Sequence, residues 1–394
     1  MERVDLLVEK YKETVLEHYR WLHQHPELSG QEKESAAYIA AALRKMGLEP
    51  TENVGGYGVT AVIEGKGEGK CVGLRADFDA LPIQETTGLP YASLNPGVMH
   101  ACGHDAHAAM LLGAAYVLTE MKDEFSGKVK LLFQPSEENS ADSGSKRMIA
   151  DGALENPKVD AVIGQHVGCG RGVGHVSSKP GTMSAFSDSF KIIIDGTACH
   201  ASSPHKGVDA LLVGAQIVTA LQSIVARNVA PLKSAVITVG KMTAGDRYNV
   251  LAGRCEIHGT CRNLDPAVRD MCEKRIESIA KGIAEGMGAS CTVNYIRGYS
   301  PVINNVEMYQ LFKETAEELL GSDHVHLIEN SGLGGEDFSF FAEQVPGVFF
   351  HLGCRFPDEK PAPAHNEKFK PNPEGFVTGQ RVMITTALNS LAKN

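Results

Sequence analysis

Residues 99–138 read MHACGHDAHAAMLLGAAYVLTEMKDEFSGKVKLLFQPSEE, and this stretch decides the fold. From 107 to 121 it is apolar at helical spacing, and Asp105 stands where an N-cap would. Residues 129–133 form a short apolar run of strand length, closed by Gln134-Pro135-Ser136-Glu137-Glu138. The same alternation continues on both sides. Residues 59–63, 71–74 and 161–163 also read as strands. Polar residues follow three of these runs: Arg75-Ala76-Asp77, Gln134 to Glu138, and Gln165-His166. Helices alternating with short apolar strands predict an α/β fold, a mostly parallel mixed sheet flanked by helices. Sites in such sheets lie beyond the carboxyl ends of the strands, where these polar residues fall.

Working outward, Leu6, Leu7, Tyr11, Val15, Tyr19 and Leu22 recur at helical spacing up to Pro26. Ser29 with Glu32 reads as a capping box for a second helix that ends at Gly47. From 187 to 297 the rhythm changes. Strands at 190–194, 235–241, 254–262 and 291–295 interleave with helices at 208–225 and 266–287. This is β-α-β-β-α-β, the ferredoxin-like pattern, and predicts an inserted domain at 187–297. The main domain then comprises 1–186 and 298–394, with a helix at 306–320, a strand at 348–352 and a last helix at 376–391.

A chain of 394 residues is too long for one ordinary core, so two domains are expected. Apolar residues at 43% and charged residues at 22% are ordinary for a globular protein. A net charge of −10 with both signs interspersed argues against nucleic acid or an anionic membrane as partner. No apolar run reaches the length of a membrane span. Charges at Glu2, Arg3 and Asp5 stand where a signal peptide would need an apolar core. Nine cysteines, odd in number and without paired spacing, predict reduced thiols in a cytoplasmic protein.

The chemistry concentrates in two places. Cys102 and His104 lie one residue apart on a glycine-containing loop that opens a helix, so both can point at one ion. A buried thiol beside a helix-capping imidazole would read the same way. Glu137 and Glu138 could be a solvated loop, but they directly follow an apolar strand. There one carboxylate can ligate a metal while the other serves a water as general base.

The combined motifs resemble a known family. Trp21 to Ser29 (WLHQHPELS) is similar to its LHxxPELS opening, and Arg75 to Ile83 (RADFDALPI) to its RADMDALPI segment. The 99–107 segment, Gln134 to Glu138, His200 to His205, Gly335-Glu336-Asp337-Phe338 and His351-Leu352-Gly353 follow in family order. The chain resembles an M20 metallopeptidase-clan amidohydrolase, of the subgroup with hippurate hydrolases, N-acetyldiaminopimelate deacetylases, aminoacylases and indole-acetyl-amino-acid hydrolases. The resemblance covers nearly the whole chain. It implies a zinc-peptidase-like catalytic domain and metal ligands at Cys102, His104, Glu138, His166 and His365. Five ligands imply two divalent metal ions, with Cys102 bridging. Zinc suits the donors, and manganese, cobalt or nickel could occupy them. The resemblance also implies Glu137 as general base and Asp77 as the carboxylate that orients a ligand imidazole. Arg75 stands where much of the wider clan has a ligand histidine. His200 matches a lid histidine that reaches the substrate carbonyl, often across a dimer. Asn249 and Arg262 match positions that hold the substrate carboxylate. Three departures stand out: Cys199 before His200 in place of glycine, Gly168-Cys169-Gly170 in place of Trp-Pro, and Asn139 to Gly144 in place of a glycine pair.

The expected activity is hydrolysis of an N-acyl-amino acid, a small-molecule substrate, by a homodimer or a tetramer. Its rivals are a dipeptidase or aminopeptidase on the same scaffold, a non-catalytic metal-binding relative, and a structural zinc protein. The last usually carries local Cys/His pairs, whereas these ligands are dispersed along the chain.

Overall fold

The computed structural model describes residues 2–393. The chain divides into two compact units. The first comprises Met1–Met183, Val302–Asn330 and Asp337–Asn394, and the second Ser184–Pro301 and Ser331–Glu336. Segment 331–336 therefore joins the second unit, where the sequence reading left it with the main domain.

The first unit opens with helices α1 (Glu2–Gln24) and α2 (Lys33–Lys45) and strands β1 (Thr51–Val54), β2 (Gly58–Glu64) and β3 (Cys71–Asp77). Helix α3 (His104–Glu120), β4 (Lys128–Gln134), α4 (Gly144–Ala150), β5 (Ala161–Gly172), β6 (Val176–Ser178) and β7 (Gly181–Thr182) follow. The second unit contributes β8 (Phe186–Asp195), α5 (Ala210–Asn228), β9 (Ala235–Ala244), β10 (Arg254–Asn263), α6 (Pro266–Gly286) and β11 (Ser290–Tyr299). The chain then returns to the first unit through β12 (Ile303–Asn304), α7 (Val306–Leu320), β13 (Val325–Leu327), α8 (Phe338–Gln344), β14 (Gly347–Arg355) and α9 (Phe376–Ala392).

Eight strands of the first unit form one sheet in the order β1-β2-β4-β3-β5-β14-β6-β13. Its middle is parallel, with β4, β3, β5 and β14 running together; β1/β2, β2/β4 and β14/β6 are antiparallel, and the short edge pair β6/β13 is parallel again. The sheet is thus mixed, with the parallel strands where both faces are covered. Strand β3 is buried at every residue, as a covered central strand must be. Helix α3 is buried nearly all round and packs on α1, α9 and β3.

Four local expectations change. Helix α3 starts at His104 rather than 107, behind Gly103 at φ 92°. Asp105 is no cap: its Oδ2 is 2.6 Å from His23 Nδ1, and His23 Nε2 is 3.2 Å from Glu85 Oε1. The Ser29/Glu32 capping box does not form. Glu27 instead accepts from Glu34 N (3.1 Å) and Ser35 N (2.8 Å), satisfying the first-turn donors of α2. Finally, the strand read at 161–163 runs on to Gly172, so His166 lies in mid-strand rather than at an end.

The two β-α-β halves of the second unit give an antiparallel sheet in the order β11-β8-β10-β9. Its core is Phe190, Ile192, Ile194, Ile217, Leu221 and Ile257 with their neighbours. Alone among the described helices, α5 is long and apolar enough to cross a membrane, a run the sequence reading passed over. Val213, Ile217, Leu221 and Ile224 on one of its faces are buried in that core.

Two stability results follow from this packing. At Gly103 a Cβ would stand 2.4 Å from Val167 Cγ2, on backbone that L side chains rarely adopt. Gly103→Ala should cost ~1–3 kcal/mol in backbone strain and about 1–3 kcal/mol more in overpacking, read as a lowered denaturation midpoint. The His23 triad gives a pH dependence. Burial pulls the imidazole down, but Asp105 and Glu85 outweigh it and raise the pKa to about 9. The unfolded chain releases that proton near pH ~6.5. The triad's stabilisation is therefore complete below about pH 6.5 and is lost as pH rises through about 9. The stability difference between the native chain and His23→Gln should shrink over that window, and a difference flat with pH would refute the assignment.

Candidate metal centre

The fold brings five dispersed side chains of the first unit together. Cys102 precedes α3 and His104 begins it. Glu138 follows β4, His166 stands in β5, and His365 lies in the loop after β14. Cys102 Sγ is 3.4 Å from His166 Nε2, and His365 Nε2 is 3.1 Å from Glu138 Oε1. Cys102, His104 and His166 offer donor atoms all within 4.8 Å of one another, and so do Cys102, Glu138 and His365. Cys102 belongs to both groups, the position a bridging thiolate would take. Tetrahedral ligands at zinc bond lengths stand ~3.4–3.6 Å apart, and the observed separations are near this.

The residues fit a divalent cation on chemical grounds. His104 Nε2 is buried with no hydrogen-bond partner among the described residues, a cost that folding rarely tolerates without a ligand. Burial pushes the Cys102 thiol up to about 12, against the pull of His104. Such a thiol becomes a thiolate at neutral pH only beside a cation. Burial also holds His166 well below its usual value, the neutral form that ligation needs.

Surrounding groups set each imidazole's tautomer. His104 Nδ1 donates to Asp79 Oδ1 and to the Asp79 carbonyl, both at 3.0 Å, which leaves Nε2 as the lone pair. His166 Nδ1 donates to Val167 O (2.7 Å) and so turns Nε2 toward Cys102. Asp79 Oδ2 also accepts from Ser29 Oγ (2.7 Å) and Glu138 N (2.9 Å). Asp79 is therefore the carboxylate that orients the His104 imidazole. The sequence reading gave that part to Asp77, which acts differently. Its Oδ1 accepts from His107 Nδ1 at 2.5 Å, and its Oδ2 lies 2.7 Å from Arg75 Nη1 and 3.8 Å from His104 Nε2. His107 Nε2 in turn accepts from Val167 N (2.9 Å), beside His166. Burial pushes Asp77 up, but Arg75, His104 and His107 outweigh it and hold it well below the usual carboxylate range.

Glu137 is buried next to one of these candidate donors, with Oε2 3.9 Å from His104 Nε2. The turn that presents it contains Ser136 in left-handed backbone (φ 53°), pinned where Ser136 N and Oγ donate to Glu32 Oε1 at 2.8 and 3.1 Å. His365 is left-handed too (φ 64°), and its N–H donates to Ala101 O at 2.8 Å. Among the described residues, two of the four left-handed non-glycine positions thus flank or supply the candidate donors, as strained backbone at functional sites does.

The sequence model described as "Peptidase family M20/M25/M40" matches residues 73–389. The chain belongs to this family. Among M20 relatives, the N-acetyl-L-cysteine deacetylase of Bacillus subtilis is 42% identical over 335 residues, covering 85% of this chain and 79% of that one. The N-acyl-L-amino acid amidohydrolase of Geobacillus stearothermophilus is 42% identical over 303 residues, covering 77% and 81%. The solved structure of the Bacillus subtilis YXEP protein, described as a dinuclear metal-binding peptidase from the M20 family, superposes with a TM-score of 0.81. It is 31% identical and covers 97% of this chain and 99% of that one.

The remaining candidate residues of this M20 chain belong to the second unit. His200 is exposed, and its Nδ1 accepts from Ser202 N (3.1 Å), so the ring proton sits on Nε2. Asn249 Oδ1 is buried without a hydrogen-bond partner among the described residues. Arg262 donates through Nη1 to Asp188 O (3.1 Å), Cys261 O (3.2 Å) and Thr260 Oγ1. The one signal in the sequence for Asp79 was its spacing from Asp77, two apart and so on one face of an extended segment.

Proposed function

We propose that this chain hydrolyses the amide bond of N-acyl-amino acids, releasing a carboxylic acid and a free amino acid. Cys102, His104, Glu138, His166 and His365 would hold two divalent cations. We assign zinc, which a thiolate and imidazoles suit; manganese, cobalt or nickel can take the same donors. The observation that carries this reading is Glu137, a buried carboxylate beside two of the proposed donors, His104 and Glu138. A site that held metal only for stability would have no use for it. The activities for which the deacetylase and amidohydrolase relatives are named agree with the reading.

Bound there, the cations would supply Lewis acidity at the scissile carbonyl and lower the pKa of a water. Glu137 accepts the proton as that water attacks, then delivers it to the leaving amine. His200 would hydrogen-bond through its Nε2–H to the developing oxyanion. Arg262 and Asn249 hold the substrate's α-carboxylate, which orients the amide. The second unit pairs with a second copy to form a homodimer. In support, β9 is an edge strand with Val236 and Met242 exposed, and Leu211 and Leu212 of α5 are half exposed.

The test is a panel of acetyl-, benzoyl- and indole-acetyl-amino acids and simple dipeptides, assayed with added metals and with chelator. We expect turnover of acyl-amino acids and its loss on chelation. Turnover of dipeptides alone would replace the reading with a dipeptidase on the same scaffold.

A further inference from the structure

Past the carboxyl end of β14, wholly within the first unit, the segment 355–370 lines a cavity of about 400 Å³. Its wall carries four cations, Arg355, Lys360, Lys368 and Lys370, against one carboxylate, Glu359. Glu359 is committed to Lys370, whose Nζ is 3.0 and 2.8 Å from its two oxygens. Arg355, Lys360 and Lys368 have no ion-pair partner among the described residues. In a chain of net charge −10, three unneutralised cations around one cavity run against the overall balance. Like charges gathered this way repel one another and gain most from an anion between them.

Two chain segments that carry candidate metal donors also contribute to this wall. Pro363 and Asn366 line it and bracket His365, whose Nε2 lies 3.1 Å from Glu138 Oε1. Cys169 lines it from β5, three residues beyond His166. Two of the segments that supply metal donors therefore also build this basic pocket.

We propose that the pocket is an oxyanion subsite that receives a carboxylate carried on the acyl arm of the substrate. The guanidinium of Arg355 can take two oxygens in one plane, and Lys360 and Lys368 add point charges. The chain then prefers amino acids acylated by a dicarboxylic acid, such as succinyl, over the acetyl derivatives. This inference rests on the N-acyl-amino-acid reading above and narrows its substrate class. The shared chemistry is an oxyanion, and a free inorganic anion could supply it as well as the substrate.

The experiment compares the native protein with a triple variant, Arg355→Gln, Lys360→Gln and Lys368→Gln. It measures kcat/KM for N-succinyl and N-acetyl derivatives of the same amino acid, and calorimetric binding of succinate and of inorganic phosphate. We expect the native protein to favour the succinyl derivative, and the triple variant to lose roughly tenfold on it with acetyl turnover unchanged, since three partly exposed pairs act together. Phosphate binding that the triple variant loses, without a succinyl preference in the native protein, would overturn the substrate assignment in favour of a free anion. Equal binding and equal kinetics in both proteins would overturn the subsite altogether. If neither derivative is hydrolysed, the N-acyl reading fails, and the subsite stands or falls on whether the triple variant loses anion binding in the calorimeter.

Discussion

Glu137→Gln should lower kcat by ~10²–10⁴-fold, the span typical of a lost general base, and leave the metal content unchanged. Glutamine keeps the size and the turn but cannot accept a proton at neutral pH. The five proposed donors are all retained, and the clamps on the turn, from Ser136 to Glu32 and from Glu138 N to Asp79, do not involve the Glu137 side chain. KM should change little, because the loss falls on the step in which the proton moves. Measuring kcat, KM and bound metal on one preparation separates the possibilities. A Glu137→Gln variant with native turnover would remove Glu137 from the mechanism, and one that loses its metals would make Glu137 a ligand instead.

A large loss of stability is also expected at a residue outside the proposed ligand set. Arg75 is fully buried among polar partners. Its Nη1 is 2.7 Å from Asp77 Oδ2, its Nη2 donates to Asp337 Oδ1 at 2.8 Å, and its Nε donates to Gln134 Oε1 at 2.8 Å. Asp337 also accepts from Gln134 Nε2 and from Ser143 Oγ at 2.7 Å. Arg75→Met removes the cation and leaves two buried carboxylates facing each other's field, which should cost about 3–5 kcal/mol. Equilibrium denaturation of the metal-free protein measures this without interference from ligand binding. Adding Asp337→Asn to Arg75→Met should return part of the loss, because one of the stranded charges is gone. If Arg75→Met alone leaves the denaturation midpoint where it was, the network is not holding the sheet's centre.

Much of this was legible along the chain, because two physical signals are local. Apolar periodicity marks an element wherever one face must be buried. It located helix 306–320 and the helix and strand order of the second unit, since those elements satisfy their own backbone and bury one side. Cys102, His104, Glu137 and Glu138 stood out as candidates because metal-assisted chemistry admits few side chains and these four sit in two short segments. His166 and His365 carried no such signal by themselves. Only the resemblance to a family singled out His365, an exposed histidine in a polar loop. What makes it a candidate is a left-handed backbone and an N–H anchored on Ala101, far earlier in the chain.

The part that needed the tertiary structure is the part made of contacts between distant segments. Asp77 and Asp79 are equivalent in sequence, two carboxylates at the end of one strand. Which one orients His104 depends on where α3 begins, and the left-handed Gly103 moved that start three residues from where periodicity placed it. The Ser29 and Glu32 pair carried a correct capping pattern, yet both side chains were claimed by stronger partners, Asp79 and the Ser136 turn, which no local rule could weigh. By itself, then, the sequence determined the elements and the kinds of atoms at the centre, because burial periodicity and donor chemistry are properties of short segments. Which carboxylate serves which imidazole was decided by the folded chain, since a hydrogen bond between residues far apart in sequence exists only after packing has brought them within about 3 Å.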